Sequence, residues 1–121
     1  MKNLALIACR KLLFLEVVEA ARYIGDVEPR TWRYYESGRS NIPEHIAKKM
    51  MGLMQRRLNV LSEMRAEAIA FRKKGEGRQA VPYYVKFEDY QNETGLDDYL
   101  EFCIDCTVKS VLFTEDHVVF Y

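Results

Sequence analysis

The chain has 121 residues, 49% of them hydrophobic and 30% charged, enough for one compact domain with a short appendage and too little for a barrel enzyme or a complete dinucleotide-binding fold. No run of 18 uncharged apolar residues occurs, so no helix is expected to span a membrane. The formal net charge of zero is unevenly divided: residues 1–78 hold 16 Lys and Arg against 9 Asp and Glu, a net +7, and residues 79–121 hold 2 against 9, a net −7.

Apolar residues Leu6, Cys9 and Leu13 share one face of a helix over residues 3–14, with Arg10 and Lys11 on the other side. A second helix fits Val17 to Ile24, and Gly25 at its end is free to take a left-handed conformation. Pro29 opens a third helix that runs to Ser37 and stops at Gly38. Its inner face carries Trp32 and Tyr35, and its outer face carries Arg30, Arg33 and Tyr34. Asn41 and Glu44 have capping-box spacing for a fourth helix. Its apolar period persists to about residue 74, so it either breaks near Asn59 or forms a spine shared with a partner. Lys73–Arg78 reads as a linker. Beyond it, Tyr83–Phe87 reads as a strand, Glu88–Glu93 as a short helix ended by Gly95, Tyr99–Ile104 as a strand, Asp105–Phe113 as a helix and His117–Tyr121 as a last strand.

The strongest functional signal lies between Leu15 and Gly38. A helix-turn-helix unit needs a small residue where its two helices cross, a glycine in the turn and two apolar residues to dock the second helix. Ala21, Gly25, Trp32 and Tyr35 supply them. Arg30, Thr31, Arg33 and Tyr34 are then left facing outward, long enough to reach base edges in a major groove. A basic part of net +7 fits such a polyanionic partner. Phosphate contacts are expected from Thr31, Ser37, Arg39, Ser40 and the amides at the start of the fourth helix.

Residues 4 to about 60 resemble the helix-turn-helix of the Xre family, the lambda-repressor-like (Cro/CI-type) fold. Ala20-Ala21, Ile24-Gly25, Thr31-Trp32, Tyr35-Glu36-Ser37-Gly38-Arg39 and Ile42-Pro43 carry the likeness. It departs in the turn, where Asp26 adds one residue and Glu28 replaces the usual serine cap. Arg10-Lys11-Leu12-Leu13, Glu19-Ala20-Ala21, Trp32, Tyr34, Glu36 to Ser40, Pro43, Thr114-Glu115 and His117 extend a closer similarity, over nearly the whole chain, to the anti-CRISPR-associated (Aca) autoregulators of phages. That resemblance implies a homodimeric repressor of its own operon that binds an inverted repeat and dimerises through a C-terminal α+β part. It also implies that Arg30 is the principal base-reading residue, with Arg33 and Tyr34 beside it. Arg33 stands where glutamine is expected, which moves the base preferred there from adenine toward guanine.

The other chemistry-bearing residues are sparse. Cys103-x-x-Cys106 lacks a second ligand pair for zinc, since Cys9, His45 and His117 have no motif spacing. Buried cysteines are the simpler reading, with a redox pair at a helix start as the alternative. Three cysteines without a secretory signal fit the cytoplasm. No nucleophile or phosphate-binding glycine loop stands out, so no enzyme, metal or cofactor is expected. Tyr83, Val85, Phe87, Phe113 and Phe120 exceed what a 43-residue acidic segment can bury alone. They are expected to pack on the long helix and a second subunit.

The sequence thus predicts a mainly α protein with a small α+β C-terminal part. Residues 1–60 form a helix-turn-helix DNA-binding domain, 61–78 the end of a long helix and a basic linker, and 79–121 an acidic dimerisation region with short strands. The expected partners are double-stranded DNA bearing an inverted repeat and a second copy of the chain, and the same basic face leaves RNA open as a further ligand. The alternative reading is an antitoxin-type or protein-interaction module whose DNA binding is secondary.

Overall fold

The computed structural model describes residues 1–75 and 77–121. In chain order these form α1 (Asn3–Leu12), α2 (Val17–Ala20), a wide π-helical turn (Ala21–Gly25), α3 (Pro29–Ser37), α4 (Glu44–Lys73), β1 (Gln79–Val81), α5 (Phe87–Thr94), α6 (Tyr99–Thr114) and β2 (Val118–Phe120). The mainly helical architecture with a small β element near the C-terminus is the one expected. Two compact units divide the chain, Met1–Arg56 and Arg57–Tyr121, and α4 contributes to both. Among the described residues no helix is long and apolar enough to cross a membrane.

In the first unit, Leu6, Leu13, Ala20, Trp32, Ile46 and Met50 are fully buried. The spacing of Leu6 and Leu13 puts them on the inner face of α1 and the turn that follows it. Glu19 receives the Glu16 backbone N–H at 2.8 Å and so fixes the start of α2. The extra residue of the turn is absorbed by the π-helical widening, in which the Val27 N–H reaches back to the Ala21 carbonyl at 3.0 Å. The left-handed position there belongs to Asp26 (φ 49°), not to Gly25 as the sequence implied. Gly25 is required for closeness: a Cβ on it would lie 2.9 Å from Val27 Cγ2 and 3.0 Å from Trp32 Cε3.

Gly38 ends α3 in the left-handed conformation (φ 81°), as expected of a helix-stopping glycine. Helix α4 begins later than the capping-box reading proposed. The Pro43 carbonyl accepts the first two amides, from Ile46 and Ala47, both at 3.1 Å, so Asn41 lies outside the helix.

Helix α4 runs 30 residues without interruption, so the break considered near Asn59 does not occur. In the second unit its buried residues include Leu61 and Ala68, and Arg57 Nε donates to Thr107 Oγ1 of α6 at 3.2 Å. Strands β1 and β2 pair in parallel, with Gln79 opposite Val118 and Val81 opposite Phe120. Of the linker expected at Lys73–Arg78, Glu76 lies outside the described residues.

Two strand expectations are corrected. Tyr83–Phe87 is not a strand: the ladder ends at Val81, before Pro82, which has no N–H, and the Tyr83 N–H adds one further bond, to the Tyr121 carbonyl at 3.2 Å. The Pro82 and Tyr84 carbonyls turn instead to α6, the Pro82 oxygen accepting from Lys109 Nζ at 2.5 Å and the Tyr84 oxygen from Cys106 Sγ at 3.5 Å. Phe87 already belongs to α5. Tyr99–Ile104 is the first part of one 16-residue helix, capped by Asp98, whose carboxylate accepts the Glu101 N–H at 3.1 Å. Phe102, Cys103, Ile104, Cys106, Val108 and Leu112 are all buried. A helix covered on several sides loses the apolar–polar contrast that would mark its 3.6-residue period.

Candidate nucleic-acid interface

Helix α3 is held by its inner face. Trp32 is fully buried and Tyr35 nearly so, their rings edge to face at 6.1 Å. Together with the buried Ala21 and the close approach at Gly25, they seat α3 against α2 and the wide turn.

A second clamp comes from residues that the sequence reading did not assign to the site. Arg10 was expected to face solvent, yet its side chain is only 12% exposed. Its Nε and Nη2 donate to Glu36 Oε2 and Oε1 at 2.7 and 3.0 Å, and its Nη1 donates to the Leu15 carbonyl at 3.0 Å. Trp32 Nε1 donates to the same Glu36 carboxylate at 2.6 Å, and Asn3 Nδ2 donates to the Glu36 carbonyl at 3.2 Å. Burial pushes the Glu36 carboxyl up, but the hydrogen bonds from Arg10 and Trp32 and the charges of Arg10 and Lys11 outweigh it and hold the group below its ordinary range. One bidentate pair thus ties α1, the turn before α2 and the end of α3 together. Only the spacing of Trp32 and Glu36, one helical turn apart, hinted at it in the sequence. Lys49, another cation of the basic part, donates to the Tyr23 carbonyl at 2.8 Å.

The outer face of α3 carries what the inner face does not need. Arg30 and Arg33 are exposed, and Thr31 and Tyr34 are half-buried. Arg30 Nε donates to Tyr34 Oη at 2.6 Å. Arg39, beyond the Gly38 turn, lays its guanidinium over the Tyr34 ring at 4.5 Å from the centroid. Arg33 has no hydrogen-bonding partner among the described residues. Ser37 Oγ donates to the Tyr34 carbonyl at 3.2 Å and accepts the Arg39 N–H at 3.4 Å, while the Ser40 N–H donates to the same carbonyl at 3.1 Å. Arg30, Arg33, Tyr34, Ser37, Arg39 and Ser40 therefore gather along α3 and its C-terminal turn, with Thr31 at the helix start.

Charge follows this geometry more closely than the sequence split suggested. Residues 1–56 hold 10 Lys and Arg against 6 Asp and Glu, a net +4. Much of the remaining basic excess is neutralised inside the second unit. Arg65 grips Glu115 at 2.9 and 2.8 Å, Arg78 grips Asp116 with two contacts of 2.6 Å, and Arg72 Nη2 donates to the Asp116 carbonyl at 2.6 Å.

Of the five residues expected at a subunit interface, three form one continuous stack: Tyr83 on Phe120 at 4.8 Å and Phe120 on Phe113 at 5.0 Å. Phe113 is 54% exposed. Val85 stands apart and is 81% exposed. Phe87 joins a different cluster, with Tyr90, Tyr99 and Phe102. The redox alternative for the cysteines is corrected. Cys103 sits in the second turn of α6 rather than at a helix start, and both thiols are buried. Burial, then the neighbouring Asp105 carboxylate, push the Cys106 thiol up to about 11, far from a reactive thiolate.

Comparison with known proteins places the chain in a family. The sequence model of the Aca2/YdiL-like family matches residues 1–120. The Aca2 repressor of Pectobacterium phage ZF40 is 34% identical over 117 residues, covering 97% of this chain and 97% of that protein. The chain belongs to the Aca2/YdiL-like family.

Proposed function

We infer that this protein is a repressor that binds double-stranded DNA in a sequence-specific manner, as a homodimer on an inverted repeat upstream of its own gene. The observation that carries the reading is the outer face of α3. Exposed Arg30 and Arg33 project from a helix whose other side is locked by Trp32, Tyr35 and the Arg10–Glu36 pair. A rigid helix presenting long cationic side chains suits a major groove. The resemblance to a phage repressor over nearly the whole chain supports the same conclusion.

Arg30 is the principal reader of base edges, with Arg33 and Tyr34 beside it. Thr31, Ser37, Arg39, Ser40 and the first amides of α4 hold the phosphates. Two α3 helices, one from each subunit, enter successive major grooves roughly 34 Å apart. The second unit supplies the subunit contact through the stack of half-buried Tyr83 and Phe120 with exposed Phe113, and through Val85 and Phe87, which lie apart from that stack. A two-stranded sheet is marginal alone, which favours completing it with a second copy. Blocking polymerase in this way needs no cofactor.

The test is binding to a fragment from directly upstream of the gene against a scrambled fragment, across a salt series, with light scattering to count subunits. Preference for the upstream fragment, a steep loss of affinity with salt and a dimer mass are expected. Arg30→Ala should cost about 1–3 kcal/mol and relax specificity at one base. Equal, weak binding to both fragments would refute the reading. A stem-loop RNA competitor tests whether the same basic face also takes RNA.

A further inference from the structure

We propose that Tyr34 is a positioning residue, which aims Arg30 at a guanine and fixes Arg39 for the neighbouring phosphate, acting through these two arginines rather than on a base edge of its own. The proposal rests on the DNA-reading role of α3 and names the base that Arg30 reads.

Tyr34 follows Arg30 by one helical turn, so their side chains meet on the outer face. Its hydroxyl accepts from Arg30 Nε at 2.6 Å. That bond takes the donor nearest the chain and leaves the Nη1–Nη2 edge of the guanidinium without a partner among the described residues. Two parallel donors pointing away from the helix match the O6 and N7 acceptors of guanine, whereas adenine offers a donor beside its N7.

Arg39 reaches Tyr34 from the other side. The left-handed Gly38 (φ 81°) folds the chain back, and the bonds of Ser37 and Ser40 to the Tyr34 carbonyl fix that turn. The Arg39 guanidinium then lies 4.5 Å from the ring centroid, and that of Arg30 lies 5.5 Å away. One phenol therefore orders two flexible cations, one through its oxygen and both through its ring. Two like charges held about one ring repel each other in the free protein, and a polyanion relieves that repulsion. An arginine already restrained also loses less conformational freedom on binding.

The test uses the full chain with Tyr34→Phe, Tyr34→Leu, Arg30→Ala and the double variant Arg30→Ala/Tyr34→Phe. The probes are the upstream fragment and versions with each half-site guanine replaced, and thermal melts confirm that every variant folds. Tyr34→Phe keeps the ring but loses the acceptor, so discrimination at a single guanine should fall about tenfold with the salt slope unchanged. Tyr34→Leu should lose the same discrimination and also lower the salt slope by about one per subunit, because Arg39 is no longer held. In the Arg30→Ala background Tyr34→Phe should have no further effect. In the free protein, the Arg30 Nε–H NMR signal should be protected from exchange in the wild type and unprotected in Tyr34→Phe.

Wild-type discrimination by Tyr34→Phe, or an undiminished effect of that change in the Arg30→Ala background, would overturn the proposal and leave DNA reading by α3 intact. A wild-type chain that prefers neither fragment would overturn the DNA reading and this assignment with it.

Discussion

Adding one methyl group at Gly25 tests the seating of α3 directly. A Cβ there would lie 2.9 Å from Val27 Cγ2 and 3.0 and 3.1 Å from Trp32 Cε3 and Cζ3, against the roughly 3.5–4.0 Å at which carbons rest. Val27 is half-buried and can give way, but Trp32 is fully buried, so its ring must shift by several tenths of an ångström within a filled core. Overpacking of this kind costs about 1–3 kcal/mol. Alanine recovers up to about 1 kcal/mol through its lower freedom in the unfolded chain, so Gly25→Ala should lose about 1–2 kcal/mol net. Trp32 is the single tryptophan, so urea unfolding followed by its fluorescence reports both the stability and the displaced ring. Gly38 supplies the contrast, since a Cβ on it would stand 3.6 Å from the nearest side-chain atom, Asn3 Nδ2, while its φ is 81°. Gly38→Ala should cost about 1–2 kcal/mol through backbone strain, and Gly38→Asn much less, because asparagine tolerates that conformation. At Gly25, asparagine should be worse than alanine. Wild-type stability and unshifted emission in Gly25→Ala, or asparagine relieving the loss at Gly25 as it does at Gly38, would refute the close-approach account.

Four further outcomes follow from the same structure. Glu36→Ala leaves the Arg10 guanidinium and the Trp32 N–H without their acceptor and should destabilise the first unit by about 3 kcal/mol in urea unfolding; a loss under about 1 kcal/mol would show that the clamp is dispensable. Because the folded state holds the Glu36 carboxyl below its ordinary value of 4.5, the stability tied to its ionised form is complete above that value and drains as pH falls through the folded value. The gap between wild type and Glu36→Gln should therefore narrow below about pH 4.5, and a gap independent of pH would contradict the charge-based account. Gly52 lies inside α4, two turns from its start, and a Cβ there would meet no atom within 4 Å. Gly52→Ala should raise stability by about 0.5–1 kcal/mol in thermal or urea melts, and a loss would point to a neighbour that covers this face. Cys103 and Cys106 should resist a thiol reagent at pH 8 until the chain unfolds, and rapid native labelling of both would contradict their burial.

Several features of this protein are local and therefore legible in the sequence. The periodicity of Leu6 and Leu13, proline at the first position of α3, glycine after its last residue and the paired Trp32 and Tyr35 mark helices whose cause lies within a few residues. The same is true of the outward arginines of α3, because a helix with one face buried determines which residues remain outside. The parts that needed the tertiary structure depend on neighbours distant in the chain. Arg10 looked like a solvated charge until Glu36, 26 residues away, appeared beside it. Gly25 has its glycine because Trp32 crosses it, not because of its own backbone angles. Tyr83–Phe87 has the composition of a strand, but the carbonyls of Pro82 and Tyr84 bond Lys109 and Cys106 of α6. Tyr99–Ile104 has no visible helical period because α6 is covered on several sides. Sequence patterning reports contrast between a buried and an exposed face, and where burial is complete or a partner is remote, that contrast is lost.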